Sequence, residues 1–259
     1  MPDAKLRKLT EILEGLGSCL VAYSGGVDST TLLYDLLSQG YEVEAVTFDY
    51  NQRHKKEIEC ARKTCIKLKV PHKIVDLKIL NEIAPSSLTR KDWIVPEGRY
   101  DEESMKSTVV PNRNMIMLSL AAAYAIGKNI PHLFYAAHSG DHAIYPDCRP
   151  SFVSAMETAL HLCDWHDLTL HAPYLHLSKA DIVKIGINLG VDYSLTWTCY
   201  KGEARPCGKC GACIERREAF REAGKSTLSE EFLAIEAAFG NFRYALVFGE
   251  TYTKACQRI

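Results

Sequence analysis

Cys19-Leu20-Val21-Ala22-Tyr23-Ser24-Gly25-Gly26-Val27-Asp28-Ser29-Thr30 is the stretch that decides how this chain folds. Its first five residues form an apolar run that reads as a buried strand, and residues 30–38 carry the spacing of a helix stopped by Gly40. Between them the glycine pair makes a sharp strand-to-helix turn in which backbone N–H groups converge without Cβ obstruction, and the helix adds its positive end. Such a nest binds phosphate oxygens. Tyr23, Ser24, Gly25, Gly26, Val27, Asp28, Ser29 and Thr30 are therefore the candidate nucleotide-binding residues. Ser24, Ser29 and Thr30 offer hydroxyl donors, and Asp28 suits holding Mg²⁺ or orienting the loop. The G-x-x-x-x-G-K-S/T lysine is absent, so this is not a Walker loop. A surface turn is the alternative reading of two adjacent glycines; the buried strand before them and the apolar helix after them speak against it.

Working outward, residues 42–48 read as a strand, 54–68 as a charged amphipathic helix and 72–77 as a third strand. A mixed stretch over 81–110, with Pro85, Pro96 and Gly98, reads as a partly ordered insertion over the active-site face. Then come a helix over 115–126 with Gly127 as its stop, a strand over 132–137, a helix over 151–162 and a strand over 168–171. Ser178 with Asp181 three residues on resembles a capping box opening a further helix. Strands alternating with helices imply an α/β fold: a doubly wound parallel sheet with right-handed crossovers. The expected organisation is a nucleotide-binding catalytic domain over 1–190 and a small C-terminal helical, metal-binding subdomain over 191–259.

The 259 residues are 47% apolar and 24% charged, enough to bury a full core. Lys+Arg 31 against Asp+Glu 32, a net charge of -1, gives no whole-chain electrostatic ground for nucleic-acid or membrane binding. No signal peptide and no run of about 18 apolar residues is visible, so a cytoplasmic protein is expected. In such a chain ten cysteines point to metal binding or catalysis before disulfides. Cys199, Cys207, Cys210 and Cys213 form C-x7-C-x2-C-x2-C, with Gly208 and Gly211 allowing the turns that bring the thiolates together. Four thiolates suit a closed, structural zinc site; a redox pair or an iron–sulfur cluster is the alternative. The nearby Lys209, Arg205, Arg216 and Arg217 read as solvated charges or as contacts to an anionic substrate.

Ser24 to Ser29 resembles the pyrophosphate loop of the N-type ATP pyrophosphatases (PP-loop superfamily, of the Rossmann-like adenine nucleotide alpha hydrolase-like fold), which cleave ATP between its α- and β-phosphates. Five further blocks accompany it: Phe48-Asp49-Tyr50-Asn51-Gln52-Arg53-His54, Val110-Pro111-Asn112-Arg113-Asn114, Gly140-Asp141-His142, Tyr145-Pro146-Asp147-Cys148-Arg149-Pro150 and Thr196-Trp197-Thr198-Cys199-Tyr200-Lys201-Gly202. Together with the cysteine cluster they resemble, in order and over residues 18–223, the 7-cyano-7-deazaguanine synthase family of the queuosine and archaeosine pathways. The resemblance implies 7-carboxy-7-deazaguanine and ammonia as substrates, ATP with Mg²⁺ consumed to AMP and pyrophosphate, a structural Zn²⁺, a nitrile product and a homodimer. Arg113 and Arg149 are candidates for the substrate carboxylate or a phosphate, or else for structural ion pairs. Asp141 and Asp147, with Asn114, are candidates for the purine edge or a second metal, with turn formation as the alternative for the aspartates. His54 and His142 are candidate bases for ammonium, or simply hydrogen-bonding residues. Asp28, Arg113, Arg149 and His54 make up the expected catalytic set.

Past residue 223 the chain leaves the family pattern. Residues 228–239 read as an amphipathic helix and 244–248 as a strand, a packed extension or an oligomer contact. Rival readings follow: a relative that adenylates the same acid and transfers it to another amine, for example on a protein; a tRNA-modifying PP-loop ATPase; and a non-enzymatic zinc-binding adaptor, which leaves Ser24 to Thr30 without a purpose.

Overall fold

The computed structural model describes residues 17–99 and 103–224, so the tail elements expected over 228–239 and 244–248 lie outside the described residues. A strand whose inner residues are all apolar has to be covered on both faces, and β1 (Ser18–Ala22) is, with Cys19, Leu20 and Val21 fully buried. It sits at the centre of a five-stranded parallel sheet with β2 (Glu42–Asp49), β3 (His72–Asp76), β4 (His132–Phe134) and β5 (Thr169–His171), in the order β3-β2-β1-β4-β5. The helices are α1 (Val27–Gln39), α2 (Lys56–Leu68), α3 (Ile79–Ile83), α4 (Arg113–Gly127), α5 (Pro150–His161), α6 (Lys179–Asn188) and α7 (Gly211–Glu222).

The period-two alternation of β1 divides the core. Cys19 and Val21 pack with Leu32 and Leu33 of α1, Ala61 of α2 and Ile182 of α6. Leu20 points the other way, into Leu118 and Ala121 of α4 and Val153 and Met156 of α5. Helices on both faces of a parallel sheet are the expected doubly wound α/β architecture.

Topology then places the site. From β1 the chain moves outward to β2 and β3 on one side, and later to β4 and β5 on the other, so the direction of winding reverses between β1 and β4. At such a switch point the loops at the carboxyl ends of two neighbouring strands diverge and leave a crevice. The Ser24–Gly26 turn leaves β1 at that crevice.

Several element limits differ from the sequence expectation for physical reasons. The strand expected over 132–137 pairs only over His132–Phe134; Tyr135 N–H still donates to the His171 carbonyl of β5 at 3.0 Å, and Tyr135, Ala136 and Ala137 line the crevice. The insertion over 81–110 is more ordered than its composition implies: Leu88 and Met105 are fully buried, a 3-10 helix spans Glu103–Thr108, and Gly98 N–H donates to the Lys209 carbonyl at 3.0 Å. The capping box at Ser178 and Asp181 is present and opens α6. The cysteine-bearing segment ends in α7, which rests on α6 through Val183, Ala219 and Phe220.

Candidate active site

Gly25 takes a left-handed backbone (φ +87) in which a Cβ would lie 2.2 Å from the Glu57 carbonyl oxygen and 2.9 Å from Ala61 N of α2. Only glycine lets the turn sit this close to the neighbouring helix. Gly26 precedes α1 without any side-chain cap, so the first-turn N–H groups are left for an outside acceptor. Around them the Ser24 and Ser29 hydroxyls meet at 2.9 Å, and Gly26 N–H donates to Ser24 Oγ at 3.2 Å. Thr30, expected among the phosphate donors, lies behind the loop instead. It is fully buried and its hydroxyl meets that of Tyr23 at 3.1 Å, so it braces the strand-to-helix junction rather than facing the cavity. Tyr23, Ser24, Gly26, Val27, Asp28 and Ser29 all line a cavity of about 250 Å³.

Three side chains not singled out from the sequence gather under the loop. Lys179, at the start of α6, is 8% exposed; its ammonium lies 2.7 Å from Glu215 Oε2 of α7 and 3.2 Å from Asp28 Oδ2. His138 Nδ1 accepts from Gly140 N–H at 3.1 Å, which leaves the neutral ring's proton on Nε2, 3.4 Å from Asp141 Oδ2. Burial pushes the Asp28 carboxyl up, but Lys179 and His138 outweigh it and hold the group below the ordinary carboxylate range. Burial likewise works against the Lys179 charge, and Asp28 and Glu215 overcome it, raising the ammonium above its usual range. Asp28 is thus an anion and Lys179 a cation at neutral pH, beside the uncapped start of α1. Asp28 Oδ1 is buried with no hydrogen-bond partner, a free oxygen donor of the kind a divalent cation takes. The signal in the sequence was slight: Lys179 sits directly after the helix-opening Ser178, where a buried lysine is unusual.

Arg113, which also lines the cavity, has its guanidinium 6.0 and 5.9 Å from the ring centres of Tyr50 and Tyr145. His54, 3% exposed, also lines the cavity. Its Nε2 is 3.3 Å from Glu57 Oε2, Glu57 in turn accepts from Gln52 at 2.9 Å, and Nδ1 is left without a partner. Asn114 also lines the cavity, and Asp141 lines it beside His138 and Lys179. The structure does not bring the remaining expected residues to the cavity lining. Asp147 accepts the Asn114 N–H on its Oδ2 at 3.1 Å and so caps the start of α4, a helix 33 residues away in sequence. Arg149 is exposed, donating through Nε to the His142 carbonyl at 2.8 Å.

The four cysteines Cys199, Cys207, Cys210 and Cys213 place their sulfur atoms within 4.8 Å of one another. Backbone N–H groups of Cys207 and Cys210 donate to Cys199 Sγ and Cys207 Sγ, both at 3.3 Å, as they do toward thiolates. The donor set fits one metal ion. Its position bears on the cavity: Trp197 N–H, two residues before Cys199, donates to the Gly25 carbonyl at 3.1 Å, and Trp197 and Tyr200 line the cavity.

Comparison with known proteins agrees with this arrangement. The family described as "Queuosine biosynthesis protein QueC" matches residues 18–224. This chain belongs to the QueC family. Curated relatives of the family chain include the 7-cyano-7-deazaguanine synthase of Methanoregula boonei, 75% identical over 201 residues that cover 78% of this chain and 93% of that one. The 7-cyano-7-deazaguanine synthase of Caldicellulosiruptor saccharolyticus is 60% identical over 205 residues, covering 79% and 91%. Among solved structures, the U34-tRNA thiolase NcsA from Methanococcus maripaludis aligns over 99% of this chain and 78% of its own at a TM-score of 0.47 and 14% identity. The QueC match spans the phosphate loop, the cavity and the cysteine cluster, and stops where the described residues stop. No helix among the described residues is long and apolar enough to cross a membrane.

Proposed function

We propose that this protein converts 7-carboxy-7-deazaguanine and ammonia into 7-cyano-7-deazaguanine at the expense of ATP. The observation that carries the reading is the shared cavity, lined both by an uncapped helix end with its glycine nest and by Arg113 in an aromatic frame, in a chain of the QueC family. A carboxylate is a poor electrophile because its leaving group is oxide. Attack of a carboxylate oxygen on the α-phosphorus of ATP, with pyrophosphate leaving, makes that oxygen part of AMP, which ammonia then displaces to form the amide. Adenylation of the amide oxygen permits loss of AMP and a proton to give the nitrile. The protein supplies position and charge. The first-turn N–H groups of α1, Ser24 and Ser29 hold the leaving pyrophosphate, Lys179 neutralises it, and Asp28 Oδ1, with Asp141 nearby, holds Mg²⁺, which supplies further charge neutralisation at the phosphates. Arg113 binds the substrate carboxylate and orients it.

His54 is the base. With its Nε2 proton held by Glu57, its Nδ1 lone pair takes a proton from ammonium, a role for which the buried Tyr50, pushed up to about 12 by burial, is not suited. The four-thiolate set holds zinc, a closed site that stabilises the cavity wall without touching substrate. A homodimer acting in the cytoplasm completes the reading. Incubation with the acid, ammonium, ATP and Mg²⁺, followed by mass spectrometry, tests it: the cyano product is expected, and an amide or protein adduct as the end product would contradict it.

A further inference from the structure

The cysteine cluster and the phosphate loop are joined by one half-buried side chain. Glu215 lies in the second turn of α7, whose N-cap is Cys210 and whose first turn carries Cys213. Its Oε2 takes the Lys179 ammonium at 2.7 Å, and the same ammonium reaches Asp28 Oδ2 at 3.2 Å. On the other side, a Cβ on Gly140 would lie 2.6 Å from Glu215 Oε1, so the backbone there walls the carboxylate in. An ammonium has three protons to place. Glu215 and Asp28 take two of them. His138 Nε2, at 3.5 Å, does not accept the third, because Nδ1 already accepts from Gly140 and the neutral ring's proton is on Nε2. The third points to the cavity that Lys179 lines.

We propose that Glu215 is a positioning residue for nucleotide binding: anchored on the cysteine-cluster helix, it holds Lys179 against Asp28 so that one ammonium proton faces the phosphates. This role rests on the reading of the cavity as an ATP site. Without Glu215 the long lysine side chain is left with Asp28 at 3.2 Å and the nearby Asp141, and its charge is drawn onto those carboxylates and away from the ligand. Glu215 acts through Lys179 alone, so its removal should cost nothing further once Lys179 is gone.

A double-mutant cycle on the full, metal-loaded chain tests this. Equilibrium binding of α,β-methylene-ATP with Mg²⁺ is measured by calorimetry for wild type, Glu215→Gln, Lys179→Met and the double variant, with metal content and Tm measured alongside. Glu215→Gln is expected to weaken binding about tenfold, the scale of one charge-assisted contact, at unchanged metal content, and to change it less than twofold in the Lys179→Met background. Glu215→Asp, which keeps the charge but withdraws it by one methylene, should give an intermediate loss and serves if Glu215→Gln does not fold. Unchanged affinity in these Glu215 variants, or an equal loss with and without Lys179, would overturn the role. Failure of the wild type to bind the analogue would overturn the ATP reading and the role together, whereas binding by the wild type with no effect of Glu215 removes the role alone.

Discussion

Asp28 shows how a single carboxylate acquires its function from residues far away in sequence. Burial alone would raise its pKa, and Lys179 with His138 reverses that. The folded carboxyl binds its proton more weakly than the unfolded chain does, so the pairing contributes stability above about pH 4 and loses it as pH falls through the depressed folded value. Asp28→Asn keeps the shape, leaves Lys179 its Glu215 partner, and is expected to lower turnover by at least ~10²-fold with a modest fall in Tm from the lost Lys179 pairing; full turnover in a steady-state assay would remove Asp28 from the site. In Lys179→Met, burial loses the largest of its opposing charges, the Asp28 carboxyl moves up, and affinity for α,β-methylene-ATP should begin to fall at a higher pH than in wild type. Titrating that affinity from about pH 5 to 8 in both proteins checks the sign. The sequence made Asp28 visible because it stands inside a local motif, and Arg113, His54 and Asp141 because they stand in blocks resembling a family. Lys179, Glu215 and His138 were illegible for the converse reason: each is an ordinary helix or loop residue until the fold brings three distant segments together. Thr30 erred the other way, since a hydroxyl one residue past the loop points into the core.

At the level of elements, packing decides which turns and helices can be altered. Gly25 sits against α2 so closely that Gly25→Ala meets rigid backbone at the Glu57 carbonyl, in addition to its left-handed φ. A loss of at least ~2 kcal/mol, roughly 5 °C in Tm, is expected together with loss of nucleotide binding; a variant that melts like wild type would show that the turn is free to move. The cysteine cluster couples to the same turn through a second strut. Arg216 of α7 donates to Thr196 Oγ1 at 2.8 Å and Thr198 Oγ1 at 3.1 Å, and the intervening Trp197 N–H holds the Gly25 carbonyl. Cys210→Ser should therefore lower metal content from one ion per chain and lower Tm before it alters the chemistry; unchanged melting with lost catalysis would make the cluster chemical. The period-two and helical patterns made the order of the central strands and helices legible. Where β4 stops was not, because Tyr135 to Ala137 remain strand-like in sequence while the regular ladder ends at Phe134 where the cavity they line opens.

For the whole molecule, the reversal of winding between β1 and β4 puts the glycine nest, the Asp28–Lys179–Glu215 cluster and Arg113 around one cavity. Parallel sheets offer such a crevice in many enzymes, so the architecture alone fixes where a ligand sits and says little about which. The proposed chemistry rests on reading the Ser24–Ser29 loop, which has no Walker lysine, as the phosphate site and Arg113 as the carboxylate site of the same cavity. The central claim is that the loop holds pyrophosphate as a leaving group while the acid is adenylated. Turnover of α-labelled ATP with 7-carboxy-7-deazaguanine, ammonium and Mg²⁺, resolved by thin-layer chromatography, tests it most directly. The account predicts labelled AMP, formed only when the acid is present and in a ratio of two per nitrile; labelled ADP as the main product, or AMP formed equally well without the acid, would contradict it.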